Sequence, residues 1–248
     1  MIIIKSRDEI RMMRESGRVA ARVRDELAAS ITPGVTTAEL DRKAAALIES
    51  FGAKSAFLGY RGYPGNVCVS IDSEVVHGIP GSRRIELGQI VSLDIGVLFG
   101  GFVGDTATTV MVGVTDPEVI RLVRSTELAL QAGIAMAIPG KRLGDVSHAI
   151  EDVAVRAGFA VVRDFVGHGI GRKMHEDPQI PNFGNPGKGP KLKEGMTLAI
   201  EPMVNMGGWA VEVLSDGWTV KTADGLPSAH FEHTVAIGPD GPEILTLG

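Results

Sequence analysis

The chain has 248 residues, 44% of them hydrophobic and 22% charged, and a net charge of −5 at pH 7. That length can bury about three quarters of the unfolded surface, so a core without disulfide staples is expected. The acidic balance argues against a nucleic-acid binder that relies on a basic field, and no apolar run approaches the roughly 18 residues of a membrane span. The opening Met-Ile-Ile-Ile-Lys is far shorter than a signal-peptide core, and the single cysteine, Cys68, cannot form an internal disulfide. Both features point to the cytoplasm.

In chain order, Ser6-Arg7-Asp8-Glu9 is a capping box that opens a helix of some twenty residues. Arg11, Arg14, Arg18 and Arg22 fall along one side of it, interleaved with Asp8, Glu15, Asp25 and Glu26. A solvated, salt-bridged face is the favoured reading, and a docking stripe for ribosomal RNA is the alternative. Pro33-Gly34 separates this helix from a second, opened by Thr36-Thr37-Ala38-Glu39 and stopped at Gly52. Gln89 to Leu98 alternates as a strand, Phe99-Gly100-Gly101 turns it, and Phe102 to Val112 returns. Asp116-Pro117 caps a third helix that Pro139-Gly140 ends, and a fourth runs from about Gly144 to Gly158. The Gly/Pro-rich stretch 181–190 reads as a loop at the rim of a cleft. Buried-type strands then lead to Glu201 and through Ala229 to Thr234.

The order of events repeats. Pro33-Gly34 to Gly52 and Pro139-Gly140 to Gly158 share their spacing at an offset of 106 residues, and Gly88 to Asp94 matches Gly195 to Glu201 at an offset of 107. The expected fold is α+β: one domain over 1–248, built from two pseudo-symmetric halves of about 1–113 and 114–248. Each half would supply two outer helices and an antiparallel sheet, and the sheets would line a central cleft.

With the hairpin turn centred near residues 99 and 100, Asp94 falls opposite Asp105, which sets two like charges about 5 Å apart. A metal ion between them removes the conflict, and two ions do so better. The repeat adds Glu201, the last strand adds Glu232, and Val-Gly-His-Gly-Ile-Gly supplies His168. Four carboxylates and one imidazole suit Mn, Fe, Co or Zn, and copper poorly. A lone strand aspartate is more often a turn or edge feature, and His148, His230 and His233 read as packing residues. No H-E-x-x-H helix or G-K-[ST] loop competes with the carboxylate set.

Several separated motifs carry a resemblance that runs from Ser6 to the C-terminus: L-G-Y-R-G-Y-P-G-N-V-C at 58–68, E-V-V-H-G-I-P at 74–80, S-L-D-I-G at 92–96, G-D-T at 104–106, G-H-G-I-G at 167–171, M-H-E-D-P at 174–178, I-E-P-M at 200–203 and F-E-H-T at 231–234. On these the chain resembles the type I methionine aminopeptidases of the pita-bread metallopeptidase fold. The resemblance implies two divalent ions (Co, Mn, Fe, Zn or Ni) held by Asp94, Asp105, His168, Glu201 and Glu232, with Asp105 and Glu232 bridging. A metal-bridged hydroxide would attack the scissile carbonyl of an initiator methionine that precedes a small residue, with Glu201 as general base. His77 and His175 would face the substrate, His77 being the duplicate of His168. Tyr60, Tyr63, Cys68 and Trp218 match the family's methionine pocket, whereas Phe57 and Met174 stand where bacterial relatives often carry cysteine and phenylalanine. The implied partners are nascent N-termini, possible contact with the ribosome is through the arginine stripe, and the protein is expected to be a monomer away from membranes. The rival readings are a Pro-specific aminopeptidase or prolidase on the same fold, and a non-catalytic binding member of it.

Overall fold

Both capping boxes form in the computed structural model, which describes residues 1–248. The Ser6 hydroxyl accepts from the Glu9 amide while the Glu9 carboxylate accepts from the Ser6 amide, starting α1 (Arg7–Ala28). Thr36 and Glu39 repeat this at α2 (Thr37–Ser50). Asp116 caps α3 (Pro117–Met136), whose first residue is the proline, and α4 is Leu143–Arg156. None of these helices is long and apolar enough to cross a membrane.

The first strands are β1 (Lys54–Ser55), β2 (Cys68–Ile71), β3 (Glu74–Val76), β4 (Ile90–Phe99) and β5 (Phe102–Met111). After the second helix pair come β6 (Ala160–Val161), β7 (Gly167–Gly169), β8 (Glu176–Ile180), β9 (Thr197–Ile200) and β10 (Met203–Asn205). The chain closes with β11 (Val211–Val213), β12 (Val220–Thr222), β13 (Ser228–His230), β14 (Glu232–Ile237) and β15 (Pro242–Ile244).

The sequence suggests a separate sheet for each half, yet one antiparallel sheet of nine strands spans both. Its path is β1-β4-β5-β14-β9-β7-β8, with β2 paired to β4 and β15 to β14. The join is β5 against β14, where Glu232 lies opposite Ala107 and His233 opposite Thr106. Pairing the two inner strands removes two edges whose N–H and C=O groups would otherwise lack partners. About this seam, β4 flanks β5 as β9 flanks β14, and β2 pairs with β4 as β7 pairs with β9. Two three-stranded sheets, β13-β10-β6 and β11-β12-β3, complete the fold.

Strand alternation sorts the faces. Val91, Leu93, Ile95 and Val97 of β4 bury against Val23 and Leu27 of α1 and Leu40 and Ile48 of α2. Leu198 and Ile200 of β9 and Val235 of β14 do the same against Leu130 of α3 and Ile150 of α4. The intervening positions Asp94, Gly96 and Glu201 therefore point away from the helices.

The hairpin register differs from expectation. Its loop is Gly100-Gly101, with φ of 58° and 81°, as the favoured two-residue turn requires. Phe99 pairs with Phe102, so Asp94 lies opposite Ala107, and Asp105 lies opposite Gly96. Moving the turn centre by one residue moves the pairing by two, which keeps both aspartates on one face.

Candidate functional site

Two neighbouring rungs of the large sheet carry the acidic residues. Along the first, Cys68 lies opposite Asp94, Asp94 opposite Ala107, and Ala107 opposite Glu232. Along the second, Gly96 lies opposite Asp105, and His168 and Thr234 both lie opposite Ala199. Thr234 ties this rung across the seam. Its hydroxyl accepts from the Asp105 amide at 3.1 Å and donates to the Asp105 carbonyl at 2.8 Å. Glu201 follows β9 directly, and its backbone carbonyl accepts from the Asn182 side-chain Nδ2 at 3.2 Å. Alanine between acidic neighbours leaves the face concave, so the carboxylates converge on one space.

Candidate donor atoms of Asp105, His168 and Glu232 lie within 4.8 Å of one another. His168 Nε2 is 3.5 Å from Glu201 Oε1 and 3.8 Å from Asp105 Oδ2. Its Nδ1 lies 2.9 Å from the Gly169 carbonyl, and donation there leaves the Nε2 lone pair facing the carboxylates. No lysine or arginine pairs with Asp94, Asp105, Glu201 or Glu232, and Asp94 Oδ1, Asp105 Oδ1 and Glu232 Oε1 are buried without a hydrogen-bond partner. Burial, followed by mutual repulsion, holds Asp105, Glu201 and Glu232 well above the usual carboxylate range. Burial raises Asp94 to about 7. It also lowers His168 to about 3, keeping the imidazole neutral. Buried, mutually repelling carboxylates beside a neutral imidazole need a multivalent cation, and this donor set fits divalent ions.

The five residues form the floor of a cavity of about 270 Å³ whose walls include Phe57, Tyr60, Tyr63, Cys68, Met174 and Trp218. Phe57 and Met174 meet over Gly96, where an added Cβ would lie 2.6 Å from one side chain and 2.7 Å from the other. Tyr63 stands edge-on to Phe57 at 6.4 Å and to Trp218 at 5.1 Å between ring centres. His175 sits at the mouth, stacked on Tyr60, whose hydroxyl is 2.8 Å from Nδ1. On the opposite side His77 packs edge-on to Phe165 and Trp218. Burial lowers His77 to about 4, and His175 is lowered by burial and by the Arg61 charge.

Strand order separates His77 from His168. His168 belongs to β7 of the large sheet, whereas His77 follows β3 of a three-stranded sheet with a left-handed φ of 61°. The first-half strand in the β7 position is β2, so the resemblance between the two Gly-flanked histidines is local and not a repeat of place.

His230, which reads as a packing residue in the sequence, is buried as that reading expects and also approaches the site. Its buried Nε2 lies 3.8 Å from Glu201 Oε2 and has no hydrogen-bond partner. The signal available was its place two residues before Glu232, although His230 ends β13 and Glu232 begins β14 of a different sheet. Arg61 and Asn182 carried no comparable pattern. The arginine stripe on α1 is largely paired: Arg11 with Asp8, Arg14 with Glu243 and Arg18 with Glu15, while Arg22 lies over the Phe51 ring.

A curled sheet backed by helix pairs, with a buried carboxylate–imidazole cluster at the base of a cavity, defines a metal-dependent hydrolase architecture. Residues 11–239 match the model of metallopeptidase family M24. The chain is 52% identical to a methionine aminopeptidase of Clostridium perfringens, covering 100% of this chain and 99% of that protein. It is 50% identical to methionine aminopeptidase 1 of Bacillus subtilis, with 99% of each covered. The crystal structure of methionine aminopeptidase from Thermotoga maritima superposes with a TM-score of 0.98 at 48% identity over the whole of both chains. Prolidase from Pyrococcus furiosus shares the fold at a TM-score of 0.81 and 24% identity, with 99% of this chain matching 66% of that one. The chain belongs to metallopeptidase family M24, has the pita-bread fold of its relatives, and by that membership uses divalent metal.

Proposed function

We propose that this chain is a di-metal aminopeptidase that removes the N-terminal methionine of nascent polypeptides in the cytoplasm, favours a small second residue and acts as a single-domain monomer. The observation that carries this reading is the set of four cation-free carboxylates and one imidazole at the base of a cavity lined by aromatic residues and Met174. Asp94, Asp105, His168, Glu201 and Glu232 would hold two ions drawn from Co, Mn, Fe, Zn or Ni, with Asp105 and Glu232 shared between them. Such ions, when bound, lower the pKa of a water and so supply a nucleophile at neutral pH.

The chain's own groups do the rest. Glu201 takes the proton from the attacking water and returns it to the departing amine. With the Tyr60 hydroxyl donating to Nδ1 of His175, the His175 Nε2–H is free to donate to the scissile carbonyl as negative charge develops there. His77 contacts the peptide from the other side of the mouth. Phe57, Tyr60, Tyr63, Cys68, Met174 and Trp218 enclose the methionine side chain, whose thioether packs well against aromatic edges. The ion pairs along α1 favour a solvated face over ribosome docking for Arg11, Arg14, Arg18 and Arg22.

The test is hydrolysis of Met-Gly-Met-Met and of X-Pro peptides by metal-free protein reconstituted with one metal at a time. Methionine release restored by a divalent ion is expected, and cleavage of X-Pro peptides alone would replace this reading with the prolidase one. Asp105→Asn should lose activity and metal together; two metals still bound with near-normal turnover would exclude the shared-ligand role.

A further inference from the structure

A second cavity of about 650 Å³ opens beside the first and shares Arg61, Val166, His168 and His175 with it. We propose that this groove holds the polypeptide downstream of the cleaved bond and favours acidic side chains from about the fourth residue onward, an inference that rests on the aminopeptidase reading. A substrate whose N-terminus reaches the carboxylate floor has a continuous path out past His175. On the opposite side of the mouth, rings line the cavity, with His77 5.6 Å from Phe165 and 6.1 Å from Trp218 between ring centres.

Charge gives the groove its selectivity. Its wall carries three carboxylates, Glu9, Glu176 and Asp177, and each already has a cation: Arg172 at 3.4 Å, the buried Lys5, and the N-terminal ammonium respectively. Two wall cations, Arg61 and Lys173, are exposed and pair with no carboxylate. Arg61 stands at the junction of the two cavities with its guanidinium 5.4 Å from the Tyr60 ring, and Tyr60 in turn bonds His175. Two unmatched cations along an open polar track attract Asp and Glu and repel Lys and Arg. Exposed pairs are individually weak, so the combined preference should be about two- to tenfold at low salt and shrink as ionic strength rises.

The experiment compares Met-Gly-Ala-Asp-Asp, Met-Gly-Ala-Ala-Ala and Met-Gly-Ala-Lys-Lys on the metal-loaded enzyme. KM should rise in that order, Arg61→Gln with Lys173→Gln should flatten the series, and Arg61→Glu with Lys173→Glu should reverse it. Calorimetry on metal-free protein, using analogues whose first peptide bond is reduced to an amine, should rank the affinities in the same way. Cleavage of all three peptides with equal KM, or a wild-type order that survives both double substitutions, overturns the groove alone. If none of the three is cleaved, the aminopeptidase reading fails and the groove falls with it.

Discussion

At the scale of single residues, Phe57 and Met174 share the space over Gly96, and on the proposed reading that space sets substrate choice. A ring at position 57 takes volume on one wall, and the unbranched thioether at 174 gives some back, so the pair conserves volume where either change alone would not. Met174→Phe should therefore overfill the cavity and lower kcat/KM on a Met-Gly peptide by about 1–3 kcal/mol of transition-state binding. Adding Phe57→Cys should recover much of the loss, because the two side chains meet over one glycine. Strictly additive losses in the double-mutant cycle would show that they act on separate spaces. His230 makes a different claim. A buried Nε2 facing Glu201 can steady that carboxylate by donating to it, so His230→Leu should lower kcat more than it raises KM. His230→Gln, which keeps an N–H at similar reach, should retain more of the rate, and equal losses in the two variants would reduce His230 to packing.

At the scale of elements, the seam between β5 and β14 is where site and stability meet. Thr234 is buried, and its hydroxyl makes two hydrogen bonds to the backbone of Asp105. Thr234→Val keeps the shape but strands a buried amide and weakens the hold on Asp105. Urea unfolding of the metal-free protein should show a loss of about 1–3 kcal/mol. Metal affinity should fall in parallel, and an unchanged midpoint would mean that the strands pair without the threonine. Helix positions were legible because their signals are local: Ser6 with Glu9, Thr36 with Glu39, and Asp116 before Pro117 specify N-termini within four residues of chain. The shared face of Asp94 and Asp105 was legible because strand alternation survives a two-residue register shift. The register itself was not, since either turn centre fits Phe99-Gly100-Gly101 and only strand pairing decides. Joining the two halves into one sheet depends on contacts more than a hundred residues apart, such as Glu232 with Ala107, which no local pattern encodes.

At the scale of the whole molecule, the acidic floor makes stability depend on pH in a way that metal should reverse. Two groups of residues compete. Burial lowers His77 to about 4 and His168 and His230 to about 3, so the unfolded chain binds protons that the folded one refuses below about pH 6.5. Their contribution grows as pH rises to that point and is then complete. The carboxyls act in the opposite sense: Asp94 is raised to about 7, and Asp105, Glu201 and Glu232 also lie well above the normal range. The folded protein keeps protons that the unfolded chain releases near pH 4, so stability drains away as pH rises through the folded values. Between pH 4 and 6.5 the two slopes oppose each other, but above 6.5 only the carboxyls remain. The Tm of the metal-free protein, held in chelator, should therefore fall from pH 6.5 to pH 8. A saturating divalent ion binds the ionised set in the folded state alone, so the rise in Tm that it produces should be larger at pH 8 than at pH 6.5. Asp94→Asn, which removes one titrating carboxyl, should flatten the metal-free slope. Differential scanning calorimetry across this range decides the matter: a metal-free Tm that stays level or climbs from pH 6.5 to 8 would mean that the carboxylates are already compensated without metal, and the cation-free cluster would lose its claim to be a metal centre.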